Sequence, residues 1–192
     1  MSGYFILPCI IILVIISGVV FLRNRTYRIK SLAKTKGFSY FARDRVVLRD
    51  TIKFFPIYKR GYTRKIINIV FKIDKNIESF IFDYYHRVKY KKAIYKRWKG
   101  GPAQTHILLK SNEASFPKLD IHSPRDIINS NKELIDFYQN CSFTDIESNM
   151  HTIMLYSEKL KLPVEDYMTK FEEAKHLFEL LKEKPEQEYF IK

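Results

Sequence analysis

The chain has 192 residues, 46% of them hydrophobic, and 34 Lys and Arg against 21 Asp and Glu give it a formal net charge of +13. That length and composition supply a core for one modest domain and exclude a disordered tail. Two cysteines far apart in sequence, Cys9 and Cys141, exclude a disulfide framework. The charge is unevenly spread: residues 23–99 carry 23 Lys and Arg against 5 Asp and Glu, whereas residues 100–192 carry 11 against 16. Such asymmetry bears on what the first half meets, not on how it folds.

Residues 4–22, YFILPCIIILVIISGVVFL, contain no charged side chain. At 1.5 Å per residue this run reaches about 28 Å as a helix, close to the hydrocarbon thickness of a bilayer. A cleaved signal peptide needs a basic stretch before the apolar run and small residues at the cut, and neither is present. Arg23, Arg25, Arg28, Lys30, Lys34 and Lys36 follow at once without an acid, and excess cations mark the cytoplasmic flank. The sequence therefore predicts a single-pass protein of a bacterial inner membrane, with its N-terminus outside and its soluble domain in the cytoplasm. Its divisions are an anchor at 1–22, a basic juxtamembrane helix at 23–37 and an α+β domain at 38–192.

Within the soluble part, residues 27–36 read as a helix with Ile29, Leu32 and Ala33 on one side and Gly37 as its stop. FSYFAR follows as a short strand, and VVLRDTIKFF as a helix that ends before Pro56. KIINIVFKIDKNIESFIFDYYHRV predicts an antiparallel hairpin turning at residues 74–76; both faces of its second strand are rich in apolar groups, so burial on two sides is expected. QTHILLKS and PKLDIHS read as further strands, SPRDIINSNKELIDFY as interrupted helix, and residues 148–158 as one more strand. LPVEDYMTKFEEAKHLFELLKEKP predicts an amphipathic helix with Val164, Tyr167, Met168, Phe171, Ala174, Phe178 and Leu181 in one stripe. The fold class that follows is α+β: an N-terminal transmembrane helix, then a mainly antiparallel sheet packed with a C-terminal amphipathic helix.

RVKYKKAIYKRWKGG, residues 87–101, carries seven cations and no acid, with Tyr90, Tyr95 and Trp98 between them. Cations interleaved with rings suit anionic lipid headgroups, and they also suit single-stranded nucleic acid or an acidic protein partner. A membrane tether favours the lipid or partner over nucleic acid. Arg23, Arg25, Arg28, Lys30, Lys89, Lys91, Lys92, Lys96, Arg97, Trp98 and Lys99 are the residues expected to bind there.

Catalytic chemistry has weaker signals. DYYH, residues 83–86, crowds an acid, two phenols and an imidazole on one strand, which reads either as a buried, hydrogen-bonded Asp83 or as an acid–base site. His86, His106, His122, His151 and His176 show no metal-ligand spacing, so neither metal nor cofactor is expected. Cys141 has no histidine or thiol neighbour in sequence, although His122 or His151 could approach it in space. A phosphate-cradling glycine loop is absent.

Gly37, Phe38 and Tyr40, then Pro56 and Gly61, Asn68, Phe82-Asp83-Tyr84, and Gln104-Thr105 form a scattered pattern over residues 33–110. In these positions the chain resembles a family of bacterial single-pass membrane-anchored proteins of unknown function. It departs from that pattern at Tyr85-His86 and in its basic hairpin extension. The resemblance implies membrane anchoring and no activity. Together these readings describe a membrane-anchored binding or scaffold domain, with an enzyme near Asp83–His86 and a nucleic-acid binder at the membrane as the alternatives.

Overall fold

The computed structural model describes residues 24–44, 46–59, 64–88, 99–100, 104–127, 132–141, 143–157 and 161–182. The apolar run at 4–22 lies outside them, and among the described residues no helix is long and apolar enough to cross a membrane.

Helix α1 occupies residues 24–35 and buries Ile29 and Ala33. Gly37, at φ +73°, stops it: Phe38 N–H reaches back to the Ala33 carbonyl at 2.8 Å and Gly37 N–H to that of Lys34 at 3.4 Å. This pair of bonds is the Schellman arrangement, which needs a left-handed residue at the turn. A Cβ on Gly37 would meet nothing within 4 Å, so backbone conformation, not space, calls for glycine there. Strand β1 (Ser39–Arg43) follows, then the short helices α2 (Val46–Ile52) and α3 (Pro56–Lys59). Pro56 opens α3 as well as closing the segment before it, as its fixed φ and missing N–H allow.

The predicted hairpin is β2 (Arg64–Asp74) and β3 (Ile77–Val88), with the two-residue β4 (Lys99–Gly100) paired to the end of β3. Strands β5 (Gln104–Ser111), β6 (Leu119–Ile121), β7 (Asp145–Asn149) and β8 (Thr152–Tyr156) complete a sheet ordered β1-β2-β3-β5-β8-β7-β6, every described pair antiparallel. A 3₁₀ turn (Pro124–Ile127) and helix α4 (Lys132–Asn140) lie between β6 and β7, and a 3₁₀ turn (Val164–Asp166) leads into helix α5 (Tyr167–Lys182).

Residues 148–158 do not form the single strand expected of them. They are the end of β7, a turn at Met150 and His151, and β8, with Asn149 opposite Thr152. Met150 takes the turn's left-handed conformation at φ 39°, a place where glycine or asparagine would have announced the hairpin.

The sheet is covered on both faces, in line with the apolar content of both sides of β3. Ile81 and its neighbours Val70, Ile107, Ile153 and Leu155 pack under α1, α4 and α5, where Ile29, Ala33, Leu134, Tyr167, Phe171, Ala174, Leu177, Phe178 and Leu181 close the core. Of the predicted α5 stripe, Met168 is only partly buried. Phe80, Phe82, Tyr84, Leu108, Met154 and Tyr156 form the other face, covered by Leu48, Ile52, Phe55 and Ile57 of α2, α3 and their junction. Helix α1 thus belongs to the domain's core, so its cationic face is only part of its role.

Candidate functional site

Two polar clusters interrupt these apolar layers. The first centres on Asp83, in the middle of β3 on the face beneath α1 and α5, with its side chain completely buried. Arg25 reaches it from the first turn of α1 as a two-pronged pair, Nε to Oδ2 at 3.2 Å and Nη2 to Oδ1 at 3.0 Å. Asn68 Nδ2 donates to Oδ2 at 3.0 Å, Thr105 Oγ1 to Oδ1 at 3.0 Å and the Tyr167 hydroxyl to Oδ1 at 3.3 Å.

Local structure explains how these groups converge. Thr105 lies directly opposite Asp83 in the β3–β5 register. Asn68 sits at φ 54° where the β2–β3 register shifts between Ile67 and Val70, a bulge conformation that asparagine tolerates better than most side chains. Its Oδ1 accepts from the Tyr40 hydroxyl at 3.0 Å. Arg25 also donates through Nη1 to the Leu162 carbonyl at 2.9 Å, just before α5, while Leu162 N–H donates to Thr105 Oγ1 at 3.1 Å. Burial opposes the charge on Arg25, but the Asp83 hydrogen bond and the neighbouring Tyr167 and Asp83 outweigh it, and the guanidinium is held above its ordinary pKa. Burial and the Asp83 charge push the Tyr167 phenol well above its ordinary value, so it remains a donor. Both Asp83 oxygens are therefore occupied, and none is open to a substrate.

The second cluster is at the far edge of the sheet, on the opposite face. Asp120 of β6 lies directly opposite Glu147 of β7, and the two-residue period of a strand puts Asp145 beside Glu147 and His122 beside Asp120. The His122 Nε2 is 2.8 Å from Asp120 Oδ1, and Nδ1 is 2.7 Å from Asp145 Oδ1. One ligand atom from each of Asp120, His122 and Glu147 lies within 4.8 Å of the others. Glu147 is 1% exposed; Oε1 accepts from the Tyr156 hydroxyl at 2.5 Å, and among the described residues Oε2 has no hydrogen-bond partner. Burial, aided by the Asp120 charge, raises the Glu147 carboxyl above its ordinary pKa, against the opposing effects of the Tyr156 hydrogen bond, His122 and the Ile57 backbone N–H.

Between the clusters, His106 is buried among rings, with its imidazole stacked on Tyr156 at 4.7 Å and on Phe82 at 5.3 Å. Burial pushes its pKa down to about 3, so it packs as a neutral aromatic group. His86, also buried, stacks on Tyr84, whose phenol burial pushes up to about 12.

The residues expected to bind lipid or a partner are placed as follows. Arg25 does not face solvent: its side chain is 11% exposed and committed to Asp83, because leaving that carboxylate alone in the core would cost more than the cation gains at a surface. Arg28 is exposed and pairs with Glu165 at 2.7 Å, and Lys30 is exposed on α1. Lys99 lies on β4, opposite Val88. Arg23, Lys89, Lys91, Lys92, Lys96, Arg97 and Trp98 lie outside the described residues.

The thiol of Cys141 bonds to the backbone carbonyls of Tyr138 and Phe143, and burial raises its pKa, which keeps it in the unreactive thiol form. His151 Nδ1 pairs with the Ala114 carbonyl and His122 with its two carboxylates, so the Cys–His pairing is not formed. The sequence did contain a signal for the second cluster that spacing among histidines alone hides: D-x-H at 120–122 and D-x-E at 145–147 each place two ligand types on one strand face. Compared with known proteins, the chain matches no family model, no curated protein and no solved structure.

Proposed function

We propose that this chain is a single-pass membrane protein whose cytoplasmic α+β domain works as a binding or scaffold module, held in a fixed pose at the leaflet by α1. In this reading residues 4–22 span a bacterial inner membrane with the N-terminus outside, as the resemblance to single-pass membrane-anchored proteins also implies. The observation that carries it is the junction: an uncharged 19-residue run ends at Leu22, and Arg25 is already locked to Asp83 in the domain's core. Little slack remains between the anchor and the folded unit, so the domain's orientation follows that of the anchor.

Further support comes from the exposed side of α1. Tyr27 is 73% exposed beside Arg28 and Lys30, the pairing of ring and cation found at membrane interfaces. Tyr40, Asn68, Asp83 and Thr105, all among the residues that carry the family resemblance, meet in the Arg25 cluster. The basic segment at 87–101 supplies the surface for anionic lipid or an acidic protein partner.

Two measurements test the proposal. A reporter fused after Lys192 is expected to be active on the cytoplasmic side, and the full-length chain to resist alkaline extraction from membranes; a freely soluble chain or a periplasmic reporter overturns it. A fragment beginning at Arg23, which retains Arg25, is expected to bind anionic vesicles in a salt-sensitive way, each cation near the surface contributing about 1 kcal/mol. Neutralising Lys89, Lys91, Lys92, Lys96, Arg97 and Lys99 together should abolish most of that binding; unchanged binding removes the lipid role and leaves the protein partner.

A further inference from the structure

We propose that Asp120, His122 and Glu147 form a binding site for one first-row divalent cation of the zinc kind, with Asp145 fixing the imidazole behind it. The backbone prepares the arrangement. Register places Asp120 opposite Glu147, and His122 and Asp145 follow on the same face. As the chain leaves β6, Asp126 Oδ2 accepts the backbone N–H groups of both His122 and Ser123 at 2.8 Å, which holds the point from which the imidazole projects.

The side chains complete it. Asp145 is 1% exposed; its Oδ1 faces His122 Nδ1 at 2.7 Å, and its Oδ2 accepts from Thr144 Oγ1 at 2.5 Å. A carboxylate at Nδ1 directs the lone pair of Nε2 to the other side, as in the carboxylate–histidine–metal arrangements of many metalloproteins. On that other side stands Asp120, and one ligand atom from each of Asp120, His122 and Glu147 lies within 4.8 Å of the other two. Glu147 is nearly inaccessible, and its Oε2 makes no hydrogen bond among the described residues, although the Ile57 backbone N–H stabilises the carboxylate in part. A buried carboxylate oxygen without a donor is unfavourable unless a proton or a cation meets it. His122 already meets Asp120 through Nε2 at 2.8 Å; a cation would replace that contact, taking Nε2 and both carboxylates as ligands and meeting the open Glu147 oxygen at the same time.

The donor set selects the cation. One imidazole with two carboxylates suits zinc and its first-row neighbours, whereas magnesium and calcium take oxygen ligands. Asp120 and His122 have side chains 52% and 28% exposed, so the cation has a route in and water can complete its coordination. The exposed Asp120 is the ligand with room to adjust as the three atoms draw together around the ion.

The experiment uses the full-length protein in detergent, stripped of metal by a chelator and titrated with Zn²⁺, and with Co²⁺ as a spectroscopic probe. One ion per chain is expected, with visible Co²⁺ absorption of low-coordinate type that Zn²⁺ displaces and excess Mg²⁺ does not. His122→Ala and Glu147→Gln are each expected to weaken binding by roughly tenfold or more. Asp120→Asn, at a half-exposed position, provides a variant that keeps the fold, and His176→Ala, on α5, should bind as the unaltered protein does. The absence of saturable one-to-one binding, or binding undiminished in both Glu147→Gln and Asp120→Asn, overturns the site.

Discussion

The two polar clusters, one under α1 and the other at the β6–β7 edge, differ in how completely their charges are met. Asp83 faces a guanidinium, an amide and two hydroxyls, and no oxygen is left over. Glu147 has one oxygen met by Tyr156 and one without a hydrogen bond among the described residues. A saturated buried ion pair is a fastening, and its function is to hold elements from different parts of the chain in one geometry. An unsaturated one reserves capacity for something from outside. The first cluster therefore explains how the domain is fixed to its first helix, and the second where a ligand enters.

Substitutions sharpen this contrast. The largest effect is expected at the fastening: Asp83→Ala strands Arg25 in the core and should destabilise the fold by about 3–5 kcal/mol in chemical denaturation. A loss below about 1 kcal/mol would show that the guanidinium escapes to water and that α1 is not locked. The equivalent change at the open cluster should be mild. Metal-free Glu147→Gln retains an acceptor for Tyr156 and removes a poorly met charge, so its stability should stay within about 1 kcal/mol of the unaltered protein. A loss as large as that of Asp83→Ala would make the two clusters alike and Glu147 structural. The smallest effect is expected at the exposed Arg28–Glu165 pair, where Arg28→Ala should change stability by about 0.5 kcal/mol or less. A larger loss there would move the attachment of α1 from the buried pair to the surface.

Most of the elements were legible in the sequence because their signals are local. The hairpin of β2 and β3 was visible in its β-branched alternation, α5 in its apolar stripe and α1 in its glycine stop. The β7–β8 hairpin was not, because its turn carries Met150 and His151 where a glycine would usually stand. Helical spacing sets Arg25 four residues before Ile29 and eight before Ala33, on the apolar side of α1, while Arg28 lies off it, but the run of cations obscured the difference. One ends in the core and the other in solvent because of which face α1 presents to the sheet. The cation site was hidden for a similar reason: its ligands come from two strands separated by the 3₁₀ turn and α4, and only the β6–β7 register brings them together.

By itself the sequence determined the α+β class, the uncharged run at the N-terminus and the charge asymmetry that follows it, all of which arise from composition and from periodicity within a few residues. Tertiary structure alone decided which charges are spent inside the protein and which remain available, since an ion pair or a ligand set depends on distances between residues far apart in the chain. Those distances are set by packing on the two faces of the sheet, where the register of each strand and the rotation of each helix assign every side chain a side.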